Sequence, residues 1–186
     1  MHRPFTTLTA LIVTLPAFAA ELPAGYVEIG RFTGTIDGTE TTLIATAHPE
    51  GENSDMEYSA MFNQYTITAI DGFDQYATPK LPWLEFGIQP DPMGDDTETL
   101  RLDDMHLFIE DMNIPAYLAE IQSGFGTLAF SNLETRNDGY IGFDFTAEMP
   151  KAMMNDAYEV VPDTSVPPIH IEGHFEGAVP EWKIGL

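Results

Sequence analysis

Three side chains with metal-binding chemistry recur at a spacing of two residues in the stretch PPIHIEGHFEGAVP, residues 167–180. They are His170, Glu172 and His174, in a chain that has five histidines. Imidazole nitrogens and carboxylate oxygens are common ligands of transition metals, and two histidines with one carboxylate form a known ligand set. The stretch therefore raises a metal site as one hypothesis.

The spacing limits how these side chains can share an ion. On an extended strand, residues two apart share one face and lie about 6.6 Å apart, whereas residues four apart lie about 13 Å apart. A histidine nitrogen binds its metal at roughly 2 Å. Unless the strand bends sharply at Gly173, we expect Glu172 to share an ion with one histidine at a time. The other ligands would then come from another strand.

The same stretch can also be interpreted as an ordinary amphipathic strand. Four apolar residues alternate with the polar ones, namely Ile169, Ile171, Phe175 and Val179. A period of two is typical of a strand with one buried face and one face in solvent. The polar row from His170 to Glu176 then faces water together. This pattern favours a solvated face over a metal site, with the metal site as the alternative.

A second candidate site lies in an acidic segment, residues 91–98. Its carboxylates are Asp91, Asp95, Asp96 and Glu98, with Asp103 and Asp104 nearby. Because Ca²⁺ takes about six to eight oxygen ligands, an oxygen-rich loop of this kind is a candidate calcium site. The spacing differs from the EF-hand loop, and a chain with 30 acidic residues produces such groups by chance. Chance is the favoured interpretation.

Methionine thioethers are a third candidate, because soft sulfur ligands favour Cu(I). The chain has nine methionines, and Met105 beside His106, or the adjacent Met153 and Met154, could contribute ligands. Their spacing is irregular, and filling gaps in a core is the usual role of methionine. We therefore expect no resident cofactor, with Ca²⁺ or a transition metal as the alternatives.

Strands separated by turn residues must position these side chains. In VEIGRFTGTIDGTETTLIATA, two β-rich runs flank Asp37-Gly38, a strong hairpin signal. Pairing about this turn sets Phe32 opposite Leu43, and a slip in the alternation near Gly30 indicates a bulge. A second hairpin is predicted in GTLAFSNLETRNDGYIGFDFTAEMP, where apolar residues alternate with polar ones from residue 140 to 149.

One short helix is predicted at NIPAYLAEIQSG, residues 113–124. Asn113 can cap it, Pro115 suits the first turn and Gly124 can end it. About eight strands with no long helices between them argue against a parallel α/β fold. The predicted fold is mainly β, an antiparallel β-sandwich or closed β-barrel of about eight strands with one short helix. Residues 20–186 would form this single all-β domain.

The first residues have the pattern of a secretory signal peptide. An apolar run from Phe5 to Phe18 follows Arg3, and Ala17 and Ala19 supply the small residues of a cleavage site. The run is too short to span a bilayer. We therefore predict a signal peptide at residues 1–19, no integral membrane segment after its cleavage, and a periplasmic or secreted location.

Composition excludes several classes of function. The chain has 30 acidic residues against seven Lys and Arg, for a formal net charge of −23, so nucleic acid is not an expected partner. There is no cysteine, which excludes disulfide frameworks and cysteine nucleophiles. The sequence also lacks a G-x-S-x-G elbow, a P-loop and an HExxH motif.

These observations favour an exported, non-enzymatic β-domain that binds a small ligand, a cation or a basic protein in the cell envelope or outside the cell. The alternative is a periplasmic hydrolase that depends on a metal or on carboxylates, with Glu172 and its neighbouring histidines as the first candidates. The ligand, the oligomeric state and any catalytic residue are left open by the sequence.

Overall fold

Alternating apolar and polar residues form strands throughout the described part of the chain. The computed structural model describes residues 22–49, 56–59, 64–90, 100–111, 113–136, 139–156 and 159–180, and these ranges contain no helix. The strands are β1 (Val27–Ile36), β2 (Thr39–Ala47), β3 (Met56–Ser59), β4 (Gln64–Ile70), β5 (Trp83–Pro90), β6 (Leu100–Phe108), β7 (Tyr117–Glu120), β8 (Thr127–Thr135), β9 (Tyr140–Met149), β10 (Ala152–Met154), β11 (Val160–Pro162) and β12 (Ile169–Ala178).

One antiparallel sheet contains most of these strands. Nine follow the order β7-β6-β5-β4-β2-β1-β12-β9-β8, while β3 pairs with β4, and β10 and β11 form a separate two-stranded sheet. Between β2 and β4 the ladder is reduced to the single pair Ile44 and Ile70. This weak junction lets the two halves of the sheet fold over one another.

The two ends of the sheet approach each other through the residues that follow β9. The amide of Leu118 in β7 donates a hydrogen bond to the Pro150 carbonyl at 3.2 Å, and the amide of Ala152 donates to the Ala116 carbonyl at 2.9 Å. The result is a nearly closed antiparallel barrel or sandwich. The predicted mainly β fold is therefore confirmed.

Aromatic rings fill the interior. Phe86 of β5 lies 5.6 Å from Phe143, 5.0 Å from Phe145 and 5.7 Å from Phe175, measured between ring centroids. Phe32 of β1 lies 5.6 Å from Phe145. All five rings are at most 3% exposed. Since burial of large apolar rings is a major source of folding free energy, this cluster joins the two halves of the sheet.

Both predicted hairpins are confirmed. Phe32 pairs with Leu43 across the Asp37-Gly38 turn, whose residues have φ of +49° and +75°, and the register shifts between Glu28 and Gly30. In the second hairpin, β8 pairs with β9. Its predicted apolar face is buried, at Ile141, Phe143, Phe145, Ala147 and Met149.

The predicted helix at residues 113–124 is wrong. Residues 117–120 form β7, and Tyr117 and Ala119 pair with Leu107 and Met105 of β6. A helix of about this length is only marginally stable in water, because its first turn is costly to form. Pairing with β6 buries Leu118 and Ala119 instead, so tertiary contacts override the local helix signals.

The predicted signal peptide at residues 1–19 lies outside the described residues. Over the ranges that the structure does describe, no helical segment has the length and apolar character needed to cross a bilayer.

Candidate functional site

The outer surface of β12 carries the candidate metal ligands. Ile171 and Phe175 point into the core and are fully buried. Since successive side chains of a strand alternate between faces, His170, Glu172 and His174 share the opposite face with Glu176. Glu172 and Glu176 are exposed, and both histidines are partly exposed. We call the outer surface of β1, β9 and β12 the outer face.

Each histidine on this face contacts a carboxylate of the neighbouring strand β9. His170 pairs in register with Glu148, and its Nδ1 lies 2.7 Å from Glu148 Oε1. His174 pairs with Asp144, and its Nδ1 lies 2.7 Å from Asp144 Oδ1. With the carboxylates ionised, each Nδ1–H donates to an oxygen. Cross-strand pairing thus produces two parallel histidine–carboxylate pairs.

A bulge in β8 adds a second donor to Asp144. The register of β8 shifts between Ser131 and Glu134, and Asn132 there has φ of +54°. Its Nδ2 donates a 2.6 Å hydrogen bond to Asp144 Oδ2. The hydrogen bonds from Asn132 and then from His174 hold the pKa of Asp144 below its ordinary value, because both stabilise the ionised form.

His170 has carboxylates at both of its ring nitrogens. Besides the Glu148 contact, its Nε2 lies 3.6 Å from Glu172 Oε2. The hydrogen bond to Glu148 is the main cause of a raised pKa for His170, and Glu172 adds to it. The stability that this pair contributes is fully present below about pH 6.5, the ordinary histidine pKa, and is lost as pH rises through the raised value.

The Glu148→Gln substitution is expected to lower the pKa of His170, because an amide stabilises the imidazolium less than a carboxylate does. Titration of the histidine ring protons by NMR measures the change. Glu176→Gln is the matched control, since it removes one charge from the same face about 20 Å along the strand. If both variants lower the pKa of His170 equally, the pair itself is not the cause.

The geometry brings only part of the predicted metal set together. Glu172 lies beside His170, while His174 contacts Asp144. The two carboxylates near His170 sit at different ring nitrogens, so one ion cannot take a nitrogen and both carboxylates there. No group of three or more His, Cys, Asp or Glu side chains suited to a metal occurs among the described residues. A metal at His170, Glu172 or His174 stays a prediction.

The acidic loop cannot be placed in the same way. Asp91, Asp95, Asp96 and Glu98 lie outside the described residues, in the connection between β5 and β6, so the calcium site also stays a prediction. Asp103, which follows in β6, is buried, and its Oδ1 lies 2.9 Å from Arg101 Nη2. That carboxylate is therefore already paired with a guanidinium.

A second group of titratable side chains lies on β5, β6 and β7. The sequence patterns did not predict that these side chains lie together. His106 Nδ1 is 3.9 Å from Glu85 Oε2, and its Nε2 is 3.8 Å from Glu120 Oε1. The Glu85 carboxylate is the main cause of a raised pKa for His106. Burial raises the pKa of neighbouring Asp104. The alternation of Asp104, His106 and Phe108 along β6 was the available signal.

His106 and Glu172 lie on different strands, β6 and β12, with β5, β4, β2 and β1 between them in the sheet order. Among the residues that the structure describes, no cluster of three or more His, Cys, Asp or Glu side chains joins them. Met105 is fully buried while His106 is half-buried on the opposite face of β6, so these two cannot act together as copper ligands.

A shallow groove of about 360 Å³ lies at one end of the outer face. Its lining includes Glu28, Arg31, Tyr140 and Glu176, above the paired glycines of β1 and β12. Arg31 donates two hydrogen bonds to Glu28, at 2.7 and 2.8 Å. The groove thus contains the exposed side chain of Glu176 and the partly exposed ring of Tyr140.

Comparisons with protein-family models, with curated proteins and with solved structures give no match for this chain.

Proposed function

We propose that this protein is an exported, non-enzymatic binding domain whose outer face recognises a basic protein or peptide. The proposal rests on one observation: aromatic side chains are buried in the interior, whereas acidic side chains lie on the outer face. Phenylalanine rings fill the interior, whereas Asp144, Glu148, Glu172 and Glu176 lie together on the outer face. A packed interior is a poor site for a ligand, so recognition is assigned to the outside.

The charge of the outer face supports a cationic partner. Four carboxylates lie on two adjacent strands. Two basic side chains nearby, Arg31 and Arg136, are paired with Glu28 and Glu134. The four carboxylates make this surface negative. Complementary charge accelerates encounter and fixes register more than it adds affinity. Association in this case is expected to be fast and salt-sensitive.

The groove at the end of the face offers a place for one basic side chain. The Tyr140 ring already has the Arg136 guanidinium 4.0 Å from its centroid, which is a cation–π contact. Glu176 lies in the same groove. One face of the Tyr140 ring is therefore occupied, and a lysine or arginine of the partner entering the groove would meet the Glu176 carboxylate.

Neutralising the outer face is expected to weaken binding of a fluorescent Lys/Arg-rich decapeptide about tenfold or more at low salt. The variant Glu148→Gln/Glu172→Gln/Glu176→Gln removes three charges from that face and leaves the core untouched. The control Glu110→Gln/Asp111→Asn/Asp156→Asn removes three exposed charges elsewhere. Fluorescence anisotropy at several salt concentrations measures both, and the control should stay within about twofold.

Two outcomes oppose the proposal. Equal losses in the two triple variants would mean that the peptide responds to net charge and that the outer face has no special role. Absence of binding by the unmodified protein at low salt would remove the basic partner altogether. The proposed export is tested separately, by finding whether protein recovered from the periplasm or the medium begins at residue 20.

A carboxylate-dependent hydrolase is the second candidate, and the His106 group favours it. His106 lies between two carboxylates, and its pKa and that of Asp104 are both raised. Partly buried groups whose pKa is shifted by burial or by a charged neighbour are candidates for general acid–base catalysis. Hydrolysis of chromogenic esters or glycosides that disappears in His106→Gln, with the fold unchanged, would favour this candidate over the binding domain.

A further inference from the structure

Two adjacent methionines are exposed on the small hairpin formed by β10 and β11. Met153 is 45% exposed and Met154 is 47% exposed. They pair in register with Val161 and Val160. Because neighbouring residues of a strand point to opposite faces, one thioether lies on each side of the hairpin. Solvent therefore reaches both sulfur-bearing side chains.

Other methionines of the described residues are in the opposite environment. Met56, Met105 and Met149 are each 0% exposed. Met149 is the last residue of β9, four positions before Met153. Oxidation of a thioether depends on access of the oxidant to sulfur. Met149 and the Met153–Met154 pair should therefore differ strongly in their rates of oxidation, although they lie within a few residues of each other.

We propose that Met153 and Met154 form an oxidant-reactive pair, a site of reversible modification to methionine sulfoxide. Hydrogen peroxide is the proposed oxidant. A sulfur lone pair attacks one peroxide oxygen, the O–O bond breaks, the sulfoxide S–O bond forms and the other oxygen leaves as water. The thioether loses two electrons and the peroxide gains them. A methionine sulfoxide reductase reverses the change.

The hairpin is built to tolerate this change. Its turn is closed by polar contacts that do not involve the thioethers. The amide of Glu159 donates to Asn155 Oδ1 at 2.9 Å, and Asn155 Nδ2 lies 3.0 Å from Glu159 Oε2. A sulfoxide at an exposed position keeps its new oxygen in water. At Met149 the same oxygen would enter the apolar core without a partner, which is costly.

Peptide mapping after peroxide treatment tests the proposal on the intact folded protein. Cleavage at Arg136, Lys151 and Lys183 places Met149 in one tryptic peptide and the Met153–Met154 pair in the next. We expect the pair to gain oxygen about tenfold faster than Met149 under native conditions. In concentrated urea, where the core is open, the two peptides should react at similar rates.

Retention of the fold is the second readout. Protein oxidised only at the pair should keep its circular dichroism spectrum and a melting temperature within about 2 °C of the untreated protein, since exposed substitutions change stability little. Equal native rates for the two peptides would overturn the exposure on which the proposal rests. Unfolding that accompanies oxidation of the pair would overturn its role as a tolerated site.

Discussion

Phe86→Ala is expected to lower the free energy of unfolding by about 3–5 kcal/mol, a large share of the roughly 5–15 kcal/mol typical of a domain. The Phe86 ring contacts Phe143, Phe145 and Phe175 across the interior. Its removal leaves a cavity between the two halves of the sheet. Because a single residue pair joins β2 to β4, the ladder there cannot replace the lost contact.

Urea denaturation followed by circular dichroism measures this change. Phe86→Leu retains much of the volume and should cost less than Phe86→Ala. Tyr76→Ala is the surface control, because Tyr76 is 78% exposed, and it should change stability by no more than about 0.5 kcal/mol. A loss below about 1 kcal/mol for Phe86→Ala would mean that the interior is loosely packed. A ligand site inside the sheet would then become an alternative to the outer face as the binding site.

The faces of the strands could be predicted from the sequence because they depend on a period of two. In β12 the apolar residues alternate with His170, Glu172 and His174, so the inward and outward rows follow without knowledge of the neighbouring strands. The Asp37-Gly38 turn was equally local, since both residues adopt positive φ at a two-residue turn. These features need only adjacent residues.

The partners of the histidines could not be predicted in this way. Glu148 and Asp144 lie opposite His170 and His174 because β9 pairs with β12, although a long connection separates these strands in the chain. Asn132 reaches Asp144 only through the bulge of β8. Sequence patterns give the face of a side chain, but the register between distant strands decides which group it meets.

Long-range pairing also explains the error at β7 and the missed His106 group. Residues 113–124 carry helix signals, yet contact with β6 makes residues 117–120 a strand. That same strand brings Glu120 to His106, and β5 brings Glu85. The helix signals at residues 113–124 therefore also conceal the group of side chains around His106.

Gly173→Ala is expected to cost about 3 kcal/mol of stability, near the upper end of overpacking effects, and Gly173→Val more. Gly173 lies opposite Gly34 of β1. A Cβ built on Gly173 would sit 2.5 Å from the Thr33 carbonyl oxygen and 2.9 Å from the Gly34 Cα. Since these are backbone atoms, they cannot move aside as a flexible side chain does.

The same substitution should disturb the outer face, because Gly173 lies between Glu172 and His174. We expect the pKa of His170 to move towards its ordinary value in Gly173→Ala, as displacement of β12 lengthens the contact with Glu148. Glu176→Ala, an exposed change on the same strand, should leave both stability and this pKa nearly unchanged. If Gly173→Ala is as stable as the unmodified protein, β1 and β12 do not approach as closely as this glycine pair requires. The histidine–carboxylate pairs would then lack the fixed strand spacing on which the proposed recognition of a basic partner depends.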